Sequence, residues 1–357
     1  MKGNASSFVS VFNGLAIICI GSVTAIPMRF VPKSTESTLA IFIANNLQRC
    51  QKTIGKACKL LVYIPRFVDM KRRHFIHASS LGMMGASLTS LRNLAMGPIS
   101  SERMPVLFIG HGNPMNAIEH NKYSESWQKM GANLPRPTAI VCISAHWETR
   151  GTKVTAMPNP RTIHDFGGFP QALFDVHYPA PGNPELAEEL GNMIHQTGVE
   201  KDFEWGLDHG AWSVLKPMFP LADIPIIQLS LDINKSPREH AELAKELAAL
   251  RNRGVLILGS GNIVHNLGRI NWQNPTGAYD WAIEFNNKVK TTIVNRDFDL
   301  LNDYKSLTSS AMLAVPSTEH YLPLLYATAL ANEHDSIEFF NDDPVMGSLT
   351  MTSLKIG

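Results

Sequence analysis

The stretch "AIVCISAHWE", residues 139–148, is an apolar run that leads directly into a histidine. Two other stretches have the same form, "VLFIGHG" at 106–112 and "VLILGSGNIVHN" at 255–266. Nearly continuous runs of Val, Ile and Leu are typical of strands that are covered on both faces, as they are in parallel sheets. Short segments of this kind are predicted as strands at 105–110, 139–145, 153–157, 225–231 and 255–260.

Helical periodicity appears between these strands. Asn183 is a plausible N-cap with Pro184 in the first turn that follows it. Ser236 and Glu239 have the spacing of a capping box, and Gly254 is placed to end that second helix. Helices are therefore predicted within 183–198, 236–254, 281–294 and 319–331.

The region 104–357 has no Ser/Gly-rich linker, repeat or low-complexity segment, which indicates a single domain. Strands that alternate with helices predict an α/β fold, with a central mostly parallel or mixed sheet and helices on both faces. In such sheets ligands bind beyond the carboxyl ends of the strands. We therefore expect the functional site, a metal site, at those strand ends.

Charge is distributed unevenly along a chain whose net charge is only +1. Residues 1–103 contain 13 Lys and Arg against 3 Asp and Glu, whereas the rest contains 19 against 28. An acidic domain argues against nucleic acid as a partner, because binding to phosphates needs clustered basic residues. Cys142 is the one cysteine after residue 103, so a metal would be held by histidine and carboxylate rather than by thiolates.

The basic N-terminal region has the features of a targeting sequence. "MKRRHFIHASSLGMMGASLTSL", residues 70–91, places paired arginines before a weakly apolar stretch, which resembles a twin-arginine export signal. We expect 70–103 to be this signal with a linker, and 1–69 to be an upstream extension or a mis-called start. Export to the periplasm follows if the signal functions, and a cytoplasmic location if it does not. An apolar stretch within 8–30 is too short to span a bilayer, so any membrane contact is expected through this leader alone.

Three histidines lie just past three predicted strands. His111 follows "VLFIG", His146 follows "AIVCISA", and His265 lies in a Gly-rich turn after "LILGSG". His320, in "STEHYLPLL", is expected in the first turn of a helix, where the positive end of the helix favours neutral imidazole. Each histidine taken singly could be a hydrogen-bonded turn residue. Taken together they predict a shared rim suited to a divalent metal, because imidazole is the commonest metal ligand in proteins.

Two further histidines lie in stretches that read as pocket loops. "EWGLDHGAW" places His209 between Asp208 and Gly210, and "TIHDFGGFP" places His164 and Asp165 before two glycines. Polar groups for acid–base work are flanked there by rings that could stack on a flat substrate. A loop held by its own Asp–His hydrogen bond would look the same. Four other histidines fall on predicted helices or polar loops and are expected at the surface, namely His120, His195, His240 and His334.

Seven stretches in order closely resemble the 4,5-DOPA extradiol dioxygenase family, part of the class III (LigB-like) ring-cleavage enzymes. The resemblance covers essentially all of 104–357, which it identifies as an extradiol dioxygenase domain, and the leader has no part in it. The stretches are "FIGHGNPMNAIE", "ISAHWETRG", "TIHDFGGFPQALFDVHYPAPG", "WGLDHGAW", "IPIIQLSLD", "GSGNIVHNL" and "STEHYLPLLYA".

The resemblance implies a catechol such as L-DOPA as substrate, O₂ as co-substrate and 4,5-cleavage beside the two hydroxyls. It implies non-haem Fe(II) held at His111, His146 and His320, with His265 as catalytic base or further ligand. His209 would donate a proton to, or stabilise, an oxygen-derived intermediate. His164 and Asp165 would contact the substrate.

One departure from the better-known class III enzymes is the third ligand position. Those enzymes use two histidines and a glutamate, whereas here the position corresponds to His320, with Glu319 beside it. An all-histidine site also suits Zn(II), so the bound metal and the catalytic metal could differ. Two alternatives follow, namely a zinc-dependent hydrolase on the same scaffold and a non-enzymatic metal-binding protein of related fold.

Overall fold

The structure, a computed structural model, describes residues 103–357 throughout and, before them, three strands: β1 (Ser7–Phe12), β2 (Leu15–Ile20) and β3 (Leu60–Tyr63). The chain divides into two units, Met1–Ala86 and Ser87–Gly357. In the first unit, β1, β2 and β3 form an antiparallel sheet in that order. The twin-arginine-like signal lies outside the described residues. Within the described part of the chain, no helix combines the length and apolarity that crossing a bilayer requires.

The second unit is built on a six-stranded sheet. In spatial order its strands are β12 (Ile337–Phe340), β15 (Ser353–Ile356), β4 (Val106–Gly110), β11 (Val255–Gly261), β5 (Ala139–Ser144) and β9 (Ile226–Gln228). The strands β4, β11, β5 and β9 run parallel to one another. At the other side of the sheet, β15 pairs antiparallel with β4, and β12 pairs antiparallel with β15. The predicted fold class, an α/β domain with a mostly parallel sheet, is confirmed.

Three two-stranded pairs lie outside this sheet. They are β6 (Glu148–Thr149) with β10 (Leu231–Asp232), β7 (Thr152–Thr155) with β8 (Val199–Asp202), and β13 (Pro344–Val345) with β14 (Leu349–Thr350). The strand predicted at 153–157 therefore belongs to a small side pair. The one predicted at 225–231 is divided between β9 in the central sheet and β10 beside it.

Side chains alternate between the two faces of the central strands, as the two-residue period of a strand requires. In β4, Val106 and Phe108 enter one hydrophobic core, whereas Leu107 and Ile109 enter the other. Helices cover both cores, as predicted. Their bounds are α1 (Lys122–Asn133), α2 (Gln171–Phe174), α3 (Pro184–Met193), α4 (His209–Met218), α5 (Pro237–Lys245), α6 (Ala248–Arg251), α7 (Asp280–Val294), α8 (Phe298–Leu301), α9 (Ala311–Ala314) and α10 (Leu322–Ala329).

The predicted helix starts at Asn183 and Ser236 are confirmed. The Asn183 side chain accepts a hydrogen bond from the Leu186 amide, and Ser236 forms the predicted capping box with Glu239. Gly254 has a φ of +74°, a conformation that only glycine adopts readily, and it turns the chain from α6 into β11. Such capping motifs can be recognised from the local sequence because the capping side chains bond the backbone amides that the first turn of a helix leaves free.

The prediction of a helix over 319–331 is wrong at its start. The helix begins at Leu322, and Glu319 and His320 lie in the turn before it. The surface assignment of His240 is also wrong. Its side chain is 0% exposed, its Nε2–H donates to the Asp232 carbonyl oxygen and its Nδ1 accepts from the Tyr326 hydroxyl.

His240 makes a specific contribution to the pH dependence of folding. Burial lowers its pKa to about 4, so the folded protein keeps it neutral where the unfolded chain, near 6.5, binds a proton. The folded state therefore loses stability as pH falls from about 6.5 to about 4. We expect the free energy of unfolding of the metal-free protein, measured with urea, to fall between pH 7 and pH 5. The fall should be about 2 kcal/mol smaller in His240→Asn than in the wild type. An unchanged pH slope in the variant would contradict this assignment.

Candidate metal centre and active site

His111, His146 and His320 converge at the carboxyl edge of the central sheet. His111 follows β4 directly, His146 lies two residues past β5, and His320 precedes α10, which packs against β11. One nitrogen from each ring lies within 4.8 Å of the corresponding nitrogens of the other two. The Nε2 atoms of His111 and His146 are 3.2 Å apart. The parallel strands thus bring together imidazoles that are far apart along the chain.

The tautomer of His111 is fixed by Ser260 in the neighbouring strand β11. The Ser260 hydroxyl donates its proton to the Gly210 carbonyl oxygen at 2.6 Å, so it must accept from His111 Nδ1 at 3.0 Å. The proton of His111 is therefore on Nδ1, and Nε2 presents a lone pair toward His146. An outer-shell hydrogen bond of this kind typically orients metal-binding histidines.

His320 is held in the same way by its neighbour. Its Nδ1 donates to a Glu319 carboxylate oxygen at 3.0 Å, which places the free lone pair on Nε2. That Nε2 is buried and has no hydrogen-bond partner among the described residues. A buried polar atom without a partner is costly, and a metal ion would satisfy it.

The environment keeps these rings neutral, the form that binds metal. Burial lowers the pKa of His111 well below its ordinary value, and the charge that His146 would carry lowers it further. The pKa of His146 falls to about 3, first because of burial and then because of His209. Burial likewise lowers the pKa of His320, with His265 adding repulsion. The cluster can therefore hold a cation without first losing protons at neutral pH.

His265 lies against this cluster. Its ring stacks on that of His320 with a centroid separation of 3.5 Å and an interplanar angle of 6°. Burial lowers its pKa to about 4, and the charge of Glu319 opposes that shift. His265 lines the same cavity as the three clustered rings, so it can act on a molecule bound beside them.

His209 and Asp165 form a hydrogen-bonded pair at the edge of the cluster. Asp165 accepts from His209 twice, from the backbone amide and from ring Nδ1, each at 2.8 Å. Burial alone would raise the pKa of Asp165, but the bonds and charge of His209 outweigh it and lower the pKa. The stretch 204–212 was expected to be a loop. Its second half is instead the start of α4, with Asp208 as the N-cap.

His164 is not brought to this site. Its Nε2 donates to the Val176 carbonyl oxygen, and its ring packs among Phe166, Phe174 and Trp212. It is not among the residues that line the cavity in front of the cluster, and its contact with substrate stays a prediction. Asp165 does line the cavity, although its carboxylate is engaged by His209.

The cavity in front of the cluster has a volume of about 810 Å³, within the usual range for small-molecule sites. Two segments in which the sequence predicts no site residue, 267–272 and 345–351, also line this cavity, and we call them its outer wall. The side chains that they contribute are Leu267, Ile270, Trp272, Val345, Met346, Leu349 and Met351. Ser260, which orients His111, was also missed, although a serine within the apolar run "VLILGSG" marks the position.

Two other groups of possible metal ligands share a residue with the cluster of His111, His146 and His320. They are His146 with Asp165 and His209, and His265 with Glu319 and His320. In both, the carboxylate already accepts a hydrogen bond from a histidine of the group. The set of His111, His146 and His320 contains no carboxylate, and one nitrogen of each ring lies within 4.8 Å of a nitrogen of the other two. Nitrogens that bind one ion at about 2.0–2.1 Å are themselves roughly 3.0–3.4 Å apart, which agrees with the 3.2 Å between His111 and His146. The donor set fits a divalent transition metal.

Comparisons with known proteins agree with this geometry. A family model described as the catalytic LigB subunit of aromatic ring-opening dioxygenase matches residues 105–347. The 4,5-DOPA dioxygenase extradiol of Escherichia coli strain K12 is 50% identical over 266 residues, 72% of this chain and 97% of that protein. The protein of the same name from Beta vulgaris is 38% identical over 257 residues, 70% of this chain and 94% of the relative.

A solved structure supports the fold as well. The crystal structure of an uncharacterized protein from Escherichia coli K12 is similar with a TM-score of 0.63 and 44% sequence identity. The match covers 71% of this chain and 100% of that one. The family implies a bound metal, and the histidine cluster could hold one. The chain belongs to the LigB family of aromatic ring-opening dioxygenases, and it is an extradiol ring-cleavage enzyme, an oxidoreductase.

Proposed function

We propose that the enzyme opens the ring of a catechol such as L-DOPA beside its two hydroxyls, by 4,5-cleavage, with a non-haem metal at His111, His146 and His320. The observation that carries this proposal is the meeting of three neutral imidazoles, each with a nitrogen within 4.8 Å of a nitrogen of the other two. We take Fe(II) as the active metal and Zn(II) as an ion that the same nitrogens can bind. Fe(II) would supply a centre at which catechol and O₂ meet and exchange electrons.

The reaction balances without an external reductant. One carbon–carbon bond next to the diol breaks, and both atoms of O₂ enter the product as part of an aldehyde and a carboxylic acid. The substrate is oxidised, O₂ is reduced, and the protein must move protons only.

His265 is the proposed base that takes a proton from a catechol hydroxyl. It is neutral at physiological pH, it lines the cavity, and it lies against His320. Imidazole is the side chain most often used for this kind of proton transfer. His209 is the proposed proton donor: with its Nδ1–H bonded to Asp165, its Nε2 can take up a proton and then deliver it to a bound molecule.

Asp165 acts through His209 as a positioning residue. We expect Asp165→Ala to lower kcat about 10- to 100-fold, an effect of the size usual for partners that orient a functional histidine. Asp165→Asn should recover part of the loss, because its amide oxygen can still accept from His209 Nδ1. Asp175→Ala, at an exposed carboxylate, is the matched control. Equal kcat in Asp165→Ala and the wild type would contradict this role.

The function is tested by loading the full chain with Fe(II) under nitrogen, adding a catechol and then admitting air. A yellow ring-opened product should form, and metal-free protein treated in the same way should give none. The Zn(II)-loaded protein, assayed in parallel with an ester substrate, tests the hydrolase alternative. Failure of Fe(II)-loaded protein to turn over several catechols, together with ester hydrolysis by the zinc form, would overturn the proposal.

A further inference from the structure

The carboxylate of Asp208, the N-cap of α4, is fully buried and accepts four hydrogen bonds. One of its oxygens accepts from the Ser144 hydroxyl at 2.6 Å and from the Ala211 amide at 3.1 Å. The other oxygen accepts from the Trp205 indole N–H at 3.2 Å and from the Gln228 side-chain amide at 3.0 Å. Because all four partners donate and both oxygens are used, an asparagine at this position could not accept all four bonds.

The Ser144 hydroxyl connects this carboxylate to His146. It donates to Asp208 and accepts from the His146 backbone amide at 3.2 Å, so a short chain of hydrogen bonds reaches the turn that presents this imidazole. The first turn of α4 also lies against the His146 ring itself. A Cβ added at Gly210 would come within 2.9 Å of His146 Cδ2 and 2.3 Å of the Ser144 oxygen. The position of His146 therefore depends on where Asp208 holds that turn.

The same helical turn contacts two further functional histidines. His209 is its first residue. The Gly210 carbonyl oxygen accepts from the Ser260 hydroxyl, which accepts in turn from His111 Nδ1. One carboxylate thus anchors a turn that contacts both imidazoles presented by the parallel strands and carries the proposed proton donor.

The charge of Asp208 has no Lys or Arg partner within the described part of the chain. Asp165 and Glu319, the other two carboxylates beside the cluster, pair there with histidines alone. A buried carboxylate without a cation is costly, and a divalent ion held by the nearby imidazoles would offset part of that cost. The charge of the site thus favours the same occupant as its nitrogens do.

We propose that Asp208 is a positioning residue of the metal centre, which holds the first turn of α4 and, through Ser144, His146 in the arrangement that binds the ion. This inference rests on the metal site of the proposed function, and it depends neither on the substrate nor on ring cleavage. The competing role for Asp208 is that of a helix cap alone. In that case its replacement would lower the free energy of unfolding and leave the metal affinity of the folded protein unchanged.

Titration of the metal-free full chain with Co(II) under nitrogen, against a competing chelator, separates the two roles. It measures the affinity for the ion, and the visible absorption bands of bound Co(II) report the arrangement of its ligands. We expect Asp208→Asn to bind Co(II) about 10- to 100-fold more weakly than the wild type. Ser144→Ala keeps the other three bonds to the carboxylate and should bind Co(II) about tenfold more weakly. Both variants should shift the absorption bands.

Ser213→Ala is the matched control, because the Ser213 hydroxyl is buried in the same helix and has no hydrogen-bond partner among the described residues. It should match the wild type in Co(II) affinity and in absorption. Urea unfolding of each variant shows whether it is folded, and Ser144→Ala alone decides if Asp208→Asn is not. Folded variants with wild-type affinity and absorption would overturn this inference and leave the metal site standing. A wild type that bound no stoichiometric Co(II) would overturn the proposed metal site and this inference with it.

Discussion

Replacing His320 by alanine is expected to abolish stoichiometric metal binding and, with it, ring-opening activity. The Nε2 of His320 is buried without a hydrogen-bond partner among the described residues, and its Nδ1 donates to Glu319, so Nε2 is the nitrogen left to bind a metal. Loss of one of three imidazoles should weaken Fe(II) binding by more than about 100-fold, beyond the effect usual for outer-shell partners. Metal analysis after anaerobic loading and desalting measures the effect directly.

The control for this experiment is His334→Ala, because His334 is an imidazole whose side chain is 86% exposed. It should bind metal as the wild type does. His320→Asn, a less drastic replacement, guards against misfolding, and circular dichroism should show that both His320 variants keep the fold. A folded His320 variant that retains one tightly bound Fe(II) per chain would remove His320 from the ligand set.

Replacing His265 by alanine is expected to lower kcat by about 10²- to 10⁴-fold while most of the metal stays bound. The ring of His265 is stacked on that of His320 and lines the cavity, where it can accept a proton from a bound catechol. Its pKa of about 4 means that it is already neutral at pH 7 and need not lose a proton first. Single-turnover rates and metal content should be measured on the same preparation.

His195→Ala, at an exposed histidine, is the matched control for that change. The two roles left open for His265 predict different results. A base that does not bind the ion leaves the metal content near that of the wild type, whereas a ligand takes the metal away when it is removed. Unchanged kcat with full metal content would exclude both roles.

The part of the site that is carried by the parallel strands could be predicted from the sequence. β4, β5 and β11 are buried along their whole length, and the nearly continuous apolar runs that begin each of them can be recognised from the sequence alone. The carboxyl ends of neighbouring parallel strands meet at one edge, so His111 and His146 could be expected there together. Local capping motifs at Asn183 and Ser236 are equally readable.

What the sequence did not predict depends on contacts between distant segments. The burial of His240 was missed because its hydrogen-bond partner Tyr326 lies 86 residues away in the sequence. The hydrogen bond from His164 to the Val176 carbonyl and its contact with the Trp212 ring likewise join segments that are separate along the chain. Part of the cavity lining comes from 345–351, which is joined to 266–279 by backbone hydrogen bonds that no periodicity in that short segment indicates.

X-ray absorption at the iron edge of the anaerobically loaded wild type tests the central claim most directly, because it reports the ligands of the ion itself. The claim that His111, His146 and His320 hold a single metal predicts one iron per chain with the scattering pattern of three imidazoles. An iron surrounded only by oxygen ligands, or iron that binds without a defined stoichiometry, would contradict it.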